Sequence, residues 1–298
     1  MGLVSLLATG CASPTPTVVP THTSAPAATP TLGQTQGAAL PHTSATAPTP
    51  LAPTVTPTEA SDVTITILYD NNEHDERLET AWGFSCLVEG PEKTILFDTG
   101  GDSAMLLRNM RTLGIDPQDV DVIVISHVHY DHVGGLAGFL EENNAVTVYL
   151  PKSLPETIKE TVRGAGAELV EVDGPVGICE RVYSTGELGN AIREQSLVIE
   201  TAQGLVVITG CAHPGVVNVV RRAKELTGGE VYLVLGGFHL DGVGEAEIAG
   251  IVEAFQQLGV EKVAPCHCSG DVARRLFEEA YGEDFIPAGV GSRLEVRD

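Results

Sequence analysis

Within six residues, His127, His129, Asp131 and His132 supply three imidazoles and one carboxylate, with only Val128 and Tyr130 between them. Neutral imidazole plus carboxylate is a donor set taken by zinc, and also by iron or manganese. The cluster follows the run from Asp121 to Ser126, which is short and β-branched and gives way to polar residues, so it reads as a buried strand. Donors at a strand end lie at the rim of a sheet. In extended chain His127 and His129 share a face; Asp131 continues that register and His132 turns out of it. One short loop can therefore serve two neighbouring metal ions.

The remaining chemistry recurs in the same setting. The apolar run 204–209 leads into Gly210-Cys211-Ala212-His213-Pro214-Gly215, and the run 231–235 leads into Gly236-Gly237-Phe238-His239. Residues 262–265 lead into Cys266-His267-Cys268-Ser269-Gly270. Six of the nine histidines thus follow β-like runs; His22, His42 and His74 do not. Proline suits a first helical turn and serine caps one. Pro214 and Ser269 therefore predict helix starts just after His213 and His267, with backbone N–H groups facing the site to receive an anion.

This His-x-His-x-Asp-His run with later strand-end histidines resembles the metallo-β-lactamase superfamily. From about Thr64 on, the chain resembles one branch of it. Asp70-Asn71, Gly83-Phe84-Ser85, the stretch 95–100 ending Asp98-Thr99-Gly100, the stretch 126–135, and the three histidine segments above carry that likeness. The branch is usually labelled dihydropterin ribofuranosyl-aminobenzene phosphate synthase-like. The resemblance implies a four-layer αββα sandwich with metals at one edge between the sheets. It implies one or two divalent ions, zinc first and iron or manganese as alternatives. His127, His129 and His213 would hold the first, and Asp131, His132 and His267 the second. Such an ion lowers the pKa of bound water to near ~7 and polarises a carbonyl or phosphoryl oxygen. Many members carry a bridging aspartate where this chain has Cys211, which either bridges as a thiolate or is a buried neighbour. Asp131 and His239 are the candidates for catalytic roles; His239 is a general acid, a ligand or a packed turn residue. Asp98 is expected to orient a ligand histidine or the metal loop, and Asn71 to touch substrate or simply to turn the chain.

The elements that must position these residues are legible as strands at about 63–69, 84–89, 94–97, 121–125 and 145–150. A β-rich block follows over 168–208, then strands at 231–235 and 262–264. Helices are expected near 104–113, 136–142, 155–165, 216–226, 246–258 and 272–281. Strands flanked by helices indicate layered α/β packing.

Residues 62–298 are expected to be the domain. Residues 12–61 are rich in Thr, Pro, Ala and Ser, with Glu59 as the only charge in Ala12–Ala60. Such a stretch cannot bury enough apolar surface to offset its ordering entropy and is read as a disordered linker. Residues 1–11 are apolar and end in small residues and a cysteine, resembling a bacterial lipoprotein signal without its basic start. On that reading Cys11 is lipidated and the protein is extracytoplasmic, anchored to membrane only there; otherwise it is cytoplasmic. The net charge of −23 argues against nucleic acid, and a small-molecule substrate is expected. Cys86 and Cys179 read as core residues, while Cys211, Cys266 and Cys268 flank site histidines. Three functions remain open: a metal-dependent hydrolase of a small ester, lactone or phosphorylated compound; the transferase of the branch label; and a non-catalytic metal-binding sensor.

Overall fold

The computed structural model describes residues 62–90 and 92–297. Cys11 and the expected leader and linker lie outside the described residues.

Thirteen strands among these residues form two sheets. The first holds β1 (Val63–Tyr69), β2 (Ser85–Glu89), β3 (Thr94–Phe97), β4 (Val122–Val124), β5 (Thr147–Pro151), β6 (Glu168–Val172) and β13 (Arg293–Val296). The second holds β7 (Val176–Cys179), β8 (Val182–Ser184), β9 (Leu197–Thr201), β10 (Gly204–Thr209), β11 (Val231–Gly237) and β12 (Lys262–Cys266). Their orders are β13-β1-β2-β3-β4-β5-β6 and β12-β11-β10-β9-β8-β7. Strands β3 to β6 are parallel, as are β10 to β12, and the remaining pairings are antiparallel. Seven α-helices accompany them: α1 (Ser103–Leu113), α2 (Tyr130–Val133), α3 (Leu136–Glu142), α4 (Glu156–Ala165), α5 (Val216–Thr227), α6 (Glu245–Gln257) and α7 (Asp271–Tyr281).

The strands read as continuous apolar runs because they are buried on both faces, with neighbouring side chains entering different cores. Val122 and Val124 enter the core between the sheets, where they join Ile199, Val206, Ile208 and Leu235. Ile123 points the other way, into a core with Met110 of α1, Phe139 of α3 and Val162 of α4. In the second sheet Val207 and Val234 face α5, α6 and α7 through Val219, Phe255 and Phe277. Three cores separate four layers, which is the αββα sandwich. The one strand with no expectation is β13, which pairs with β1 at the sheet edge.

The parallel strands β4, β10, β11 and β12 end toward one rim. Asp102 caps α1 by accepting from the Met105 N–H at 2.8 Å, as expected of an aspartate ahead of a first turn. The expectations for α5 and α7 fail in detail. Their N-caps are Gly215 and Gly270, neither with a side-chain cap. The Ser269 hydroxyl instead donates to the Cys266 carbonyl at 2.6 Å and accepts from the Phe238 N–H. It ties the end of β12 to that of β11 instead of capping α7.

Candidate metal centre

The chain leaves β4 extended through His127 and then winds into α2 at Tyr130. This bend separates the donors. His127 Nε2 and His213 Nε2 each lie 3.1 Å from His129 Nδ1. Asp131 does not continue the extended register, because it is already helical. Its Oδ2 stands 3.3 Å from His267 Nε2 and 3.6 Å from His132 Nε2, and those two nitrogens are 3.2 Å apart. The six residues thus form two adjacent sets, His127/His129/His213 and Asp131/His132/His267. Cys211 lies between them, its Sγ 3.2 Å from His132 Nε2 and grouped with His127 and His132.

Hydrogen bonds fix which ring nitrogens are bare. Asp98 is fully buried and accepts from the Ser126 N–H at 2.6 Å through Oδ1. Its Oδ2 accepts from the Ser126 hydroxyl and from His132 Nδ1, both at 2.7 Å. With its proton given to Asp98, the Ser126 oxygen accepts from His127 Nδ1 at 2.9 Å. Asn71 Oδ1 accepts from His267 Nδ1 at 3.1 Å while its Nδ2 donates to the His267 carbonyl. This network leaves the Nε2 lone pairs of His127, His132 and His267 turned into the site. Bare nitrogens packed this closely repel one another unless a proton or a metal ion lies between them. Tetrahedral zinc with Zn–N bonds of ~2.0–2.1 Å sets its donors about 3.3 Å apart, close to the spacings here. The donor set therefore fits a metal of that class. Asn71 orients His267, a part neither sequence alternative gave it; Asp98 plays the orienting part expected of it, for both sets at once.

Protonation points the same way. Burial, with the neighbouring imidazoles, holds His127 well below the ordinary histidine range and lowers His213 to about 4. Burial would raise Asp131, but its hydrogen bond with His267 and the charge of His132 bring it down to about 2. Burial would lower His132, and the Asp98 carboxylate beside it more than offsets this. The site presents mostly neutral imidazoles and an ionised carboxylate, the forms that bind metal.

Two features escaped the sequence. Glu194, 1 % exposed, accepts the backbone N–H groups of Gly210, Cys211 and Ala212 on Oε1 at 2.8 to 3.1 Å and of His213 on Oε2 at 2.8 Å. The His267 N–H goes to Asp70. These N–H groups hold the loops ahead of α5 and α7 in place and are not free to receive an anion. The second is Trp82, 54 % exposed, whose ring lies 5.0 Å from that of His267. His239 is exposed, its ring 4.3 Å from that of His213. Among the described residues, five other than glycine have positive φ, and Asp98, Ala212, His239 and His267 are four of them. Such backbone is costly and gathers where surrounding contacts over-determine it.

The metallo-beta-lactamase superfamily model matches residues 83–267, which span this whole cluster. The chain belongs to the metallo-β-lactamase superfamily. Its structure has the fold of that superfamily's metal-dependent hydrolases. A 7,8-dihydropterin-6-methyl-4-(beta-D-ribofuranosyl)-aminobenzene-5'-phosphate synthase of Methanocaldococcus jannaschii is 31% identical over 252 residues, covering 68% of this chain and 86% of that protein. The crystal structure of Tm1679, described as a metal-dependent hydrolase of the β-lactamase superfamily, superposes with a TM-score of 0.67 at 31% identity, covering 79% of this chain and 100% of that one. The metallo-β-lactamase fold protein YhfI of Bacillus subtilis shares the fold at TM-score 0.58 and 13% identity, over 79% of this chain and 100% of that one.

Proposed function

We propose that this superfamily member is a metal-dependent hydrolase acting on a small ester, lactone or phosphorylated compound. The observation behind this reading is the pair of convergent donor sets, His127/His129/His213 and Asp131/His132/His267, side by side at the rim. Bound there, one or two ions of the zinc, iron or manganese class would supply a nucleophile from water at neutral pH and polarise the substrate oxygen. The chain does the rest. Asp98 and Ser126 hold His127 and His132 in one tautomer, Asn71 holds His267, and Glu194 fixes the loop that presents Cys211 and His213. Asp131 adds the one carboxylate charge among the six donors. The Trp82 indole offers an apolar wall beside His267 against which a planar substrate group can lie. The likeness to Tm1679 supports hydrolysis.

A second reading is the transferase named in the M. jannaschii relative, favoured by the likeness over most of that protein's length. We place the protein outside the cytoplasm, tethered at Cys11, where pathway intermediates of that kind would not be expected; a cytoplasmic location would favour the transferase. With a net charge of −23, nucleic acid is a poor candidate substrate. Metal analysis of protein purified without chelator, with turnover assayed on phosphodiesters, lactones and β-lactams and on the pterin condensation, tests the reading. Hydrolysis lost with the metal and regained on its return supports it. Full activity without metal, or condensation alone, would overturn it.

A further inference from the structure

Cys211, Cys268 and His239 form another donor set beside the imidazole cluster. Their two sulfurs and one ring nitrogen all lie within 4.8 Å of one another. The residues come from three successive parallel strand ends, those of β10, β12 and β11. The thiols are each only 4 % exposed, while His239 faces solvent. Two features of the backbone bring them together. A Cβ on Gly237 would lie 2.7 Å from Cys268 Sγ and 3.2 Å from the Cys211 Cα, so the missing side chain makes the hollow in which the thiols meet. His239 holds a φ of 54°, a conformation unfavourable for any residue but glycine. That turn brings its ring nitrogen within 4.8 Å of both sulfurs.

We infer that Cys211, Cys268 and His239 bind a soft metal ion of the zinc class, at a further site adjoining the all-imidazole set and the imidazole–carboxylate set. Two thiolates and one imidazole select zinc-like or softer ions over magnesium, calcium or manganese. Three protein ligands leave a fourth position, on the exposed side of His239, for water or a ligand atom. Binding a divalent ion deprotonates both thiols, and the two protons pass to solvent. Cys211 Sγ also lies 3.2 Å from His132 Nε2, so its thiolate would join this ion to the imidazole centre. The imidazole of His239 is then a ligand, and its use as a free acid is set aside. The inference does not require the hydrolase reading.

Cobalt(II) is the probe. The full chain, stripped with chelator under anaerobic conditions, is titrated while the ultraviolet thiolate-to-cobalt charge-transfer band is followed. A sulfur band is expected. Cys268→Ser removes one of its two sulfur donors and should cut the band to about half or less, and Cys268→Ala repeats the test should the serine variant misfold. His239→Ala should keep a sulfur band but weaken cobalt binding there at least about tenfold. His129→Ala, which disturbs the imidazole set, should leave the Cys268-dependent part of the band intact. That comparison separates failure of this site from failure of the hydrolase centre. A band unchanged in Cys268→Ser would show that Cys211 alone ligates, and would overturn the inference. So would the absence of any sulfur band, a Cys211–Cys268 disulfide that persists under reducing anaerobic conditions, or a His239→Ala variant that loses turnover with its cobalt titration unchanged.

Discussion

Glu194 is a buried carboxylate used as a hub, and its charge state can be read from stability. Burial pushes it from an ordinary 4.5 up to about 7, against the pull of the N–H groups of Ala212 and His213. The native chain therefore keeps the proton in a range where the unfolded chain has released it. Stability is full below about 4.5 and is lost as pH rises through about 7. That gap corresponds to about 3 kcal/mol. Glu194→Gln stays neutral at every pH. Its amide oxygen can accept where Oε1 does, but its NH2 then opposes the His213 N–H, a fixed cost of about 1–3 kcal/mol. The fixed cost shifts the whole curve and the titration tilts it. Urea unfolding of both chelator-treated proteins between pH ~4.5 and ~8 should show the wild type losing about 3 kcal/mol relative to Glu194→Gln. His213, held down to about 4 by burial, works in the opposite sense, losing stability as pH falls, but it is present in both proteins and cancels in the difference. A flat difference, or one that favours the wild type as pH rises, would mean that the four N–H donors outweigh burial and would refute the reasoning.

Four further outcomes are expected. Wild-type protein purified without chelator should hold at least roughly half an equivalent of zinc, iron or manganese, and His129→Ala should lose most of it with an unchanged circular dichroism spectrum. Asp98→Asn should weaken metal binding about 10–100-fold by releasing His132 and Ser126 together; affinity unchanged by equilibrium dialysis would count against the orienting role. Gly210→Ala should destabilise by about 1–3 kcal/mol in denaturant melts, because its Cβ would lie 2.1 Å from Ser126 Oγ and 3.0 Å from Asp98 Oδ2. Cys11→Ser should shift the native protein from the membrane fraction to the soluble one; a wild type already wholly soluble in the cytoplasm would end the tether reading.

What was legible in the sequence is what one stretch of chain determines for itself. The run from His127 to His132 announces donors because they are consecutive, and the strands around it announce themselves because each face enters a core. The four-layer arrangement and the role of Asp98 came through resemblance, since nothing local to Asp98 says that Ser126 and His132 will meet it. Glu194 gave no signal at all. It sits in a polar stretch before Leu197, and its four partners lie 16 to 19 residues away. Ser269 misled because serine before a helix is usually a cap, whereas here its hydroxyl is committed to β11 and β12. Strand β13 escaped notice because its four residues alternate in burial and find their partner, β1, more than two hundred residues earlier.

Each donor set draws on both sheets. The first joins His129 to His213, 84 residues apart, and the second joins His132 to His267, 135 apart. An ion in either set would bind the folded chain and not the unfolded one, which does not bring these donors together. It would stabilise the fold by mass action, by about 2.7 kcal/mol when free ion stands at about a hundred times its Kd. Metal supply would then govern how long the protein survives proteases and heat as well as how fast it turns over.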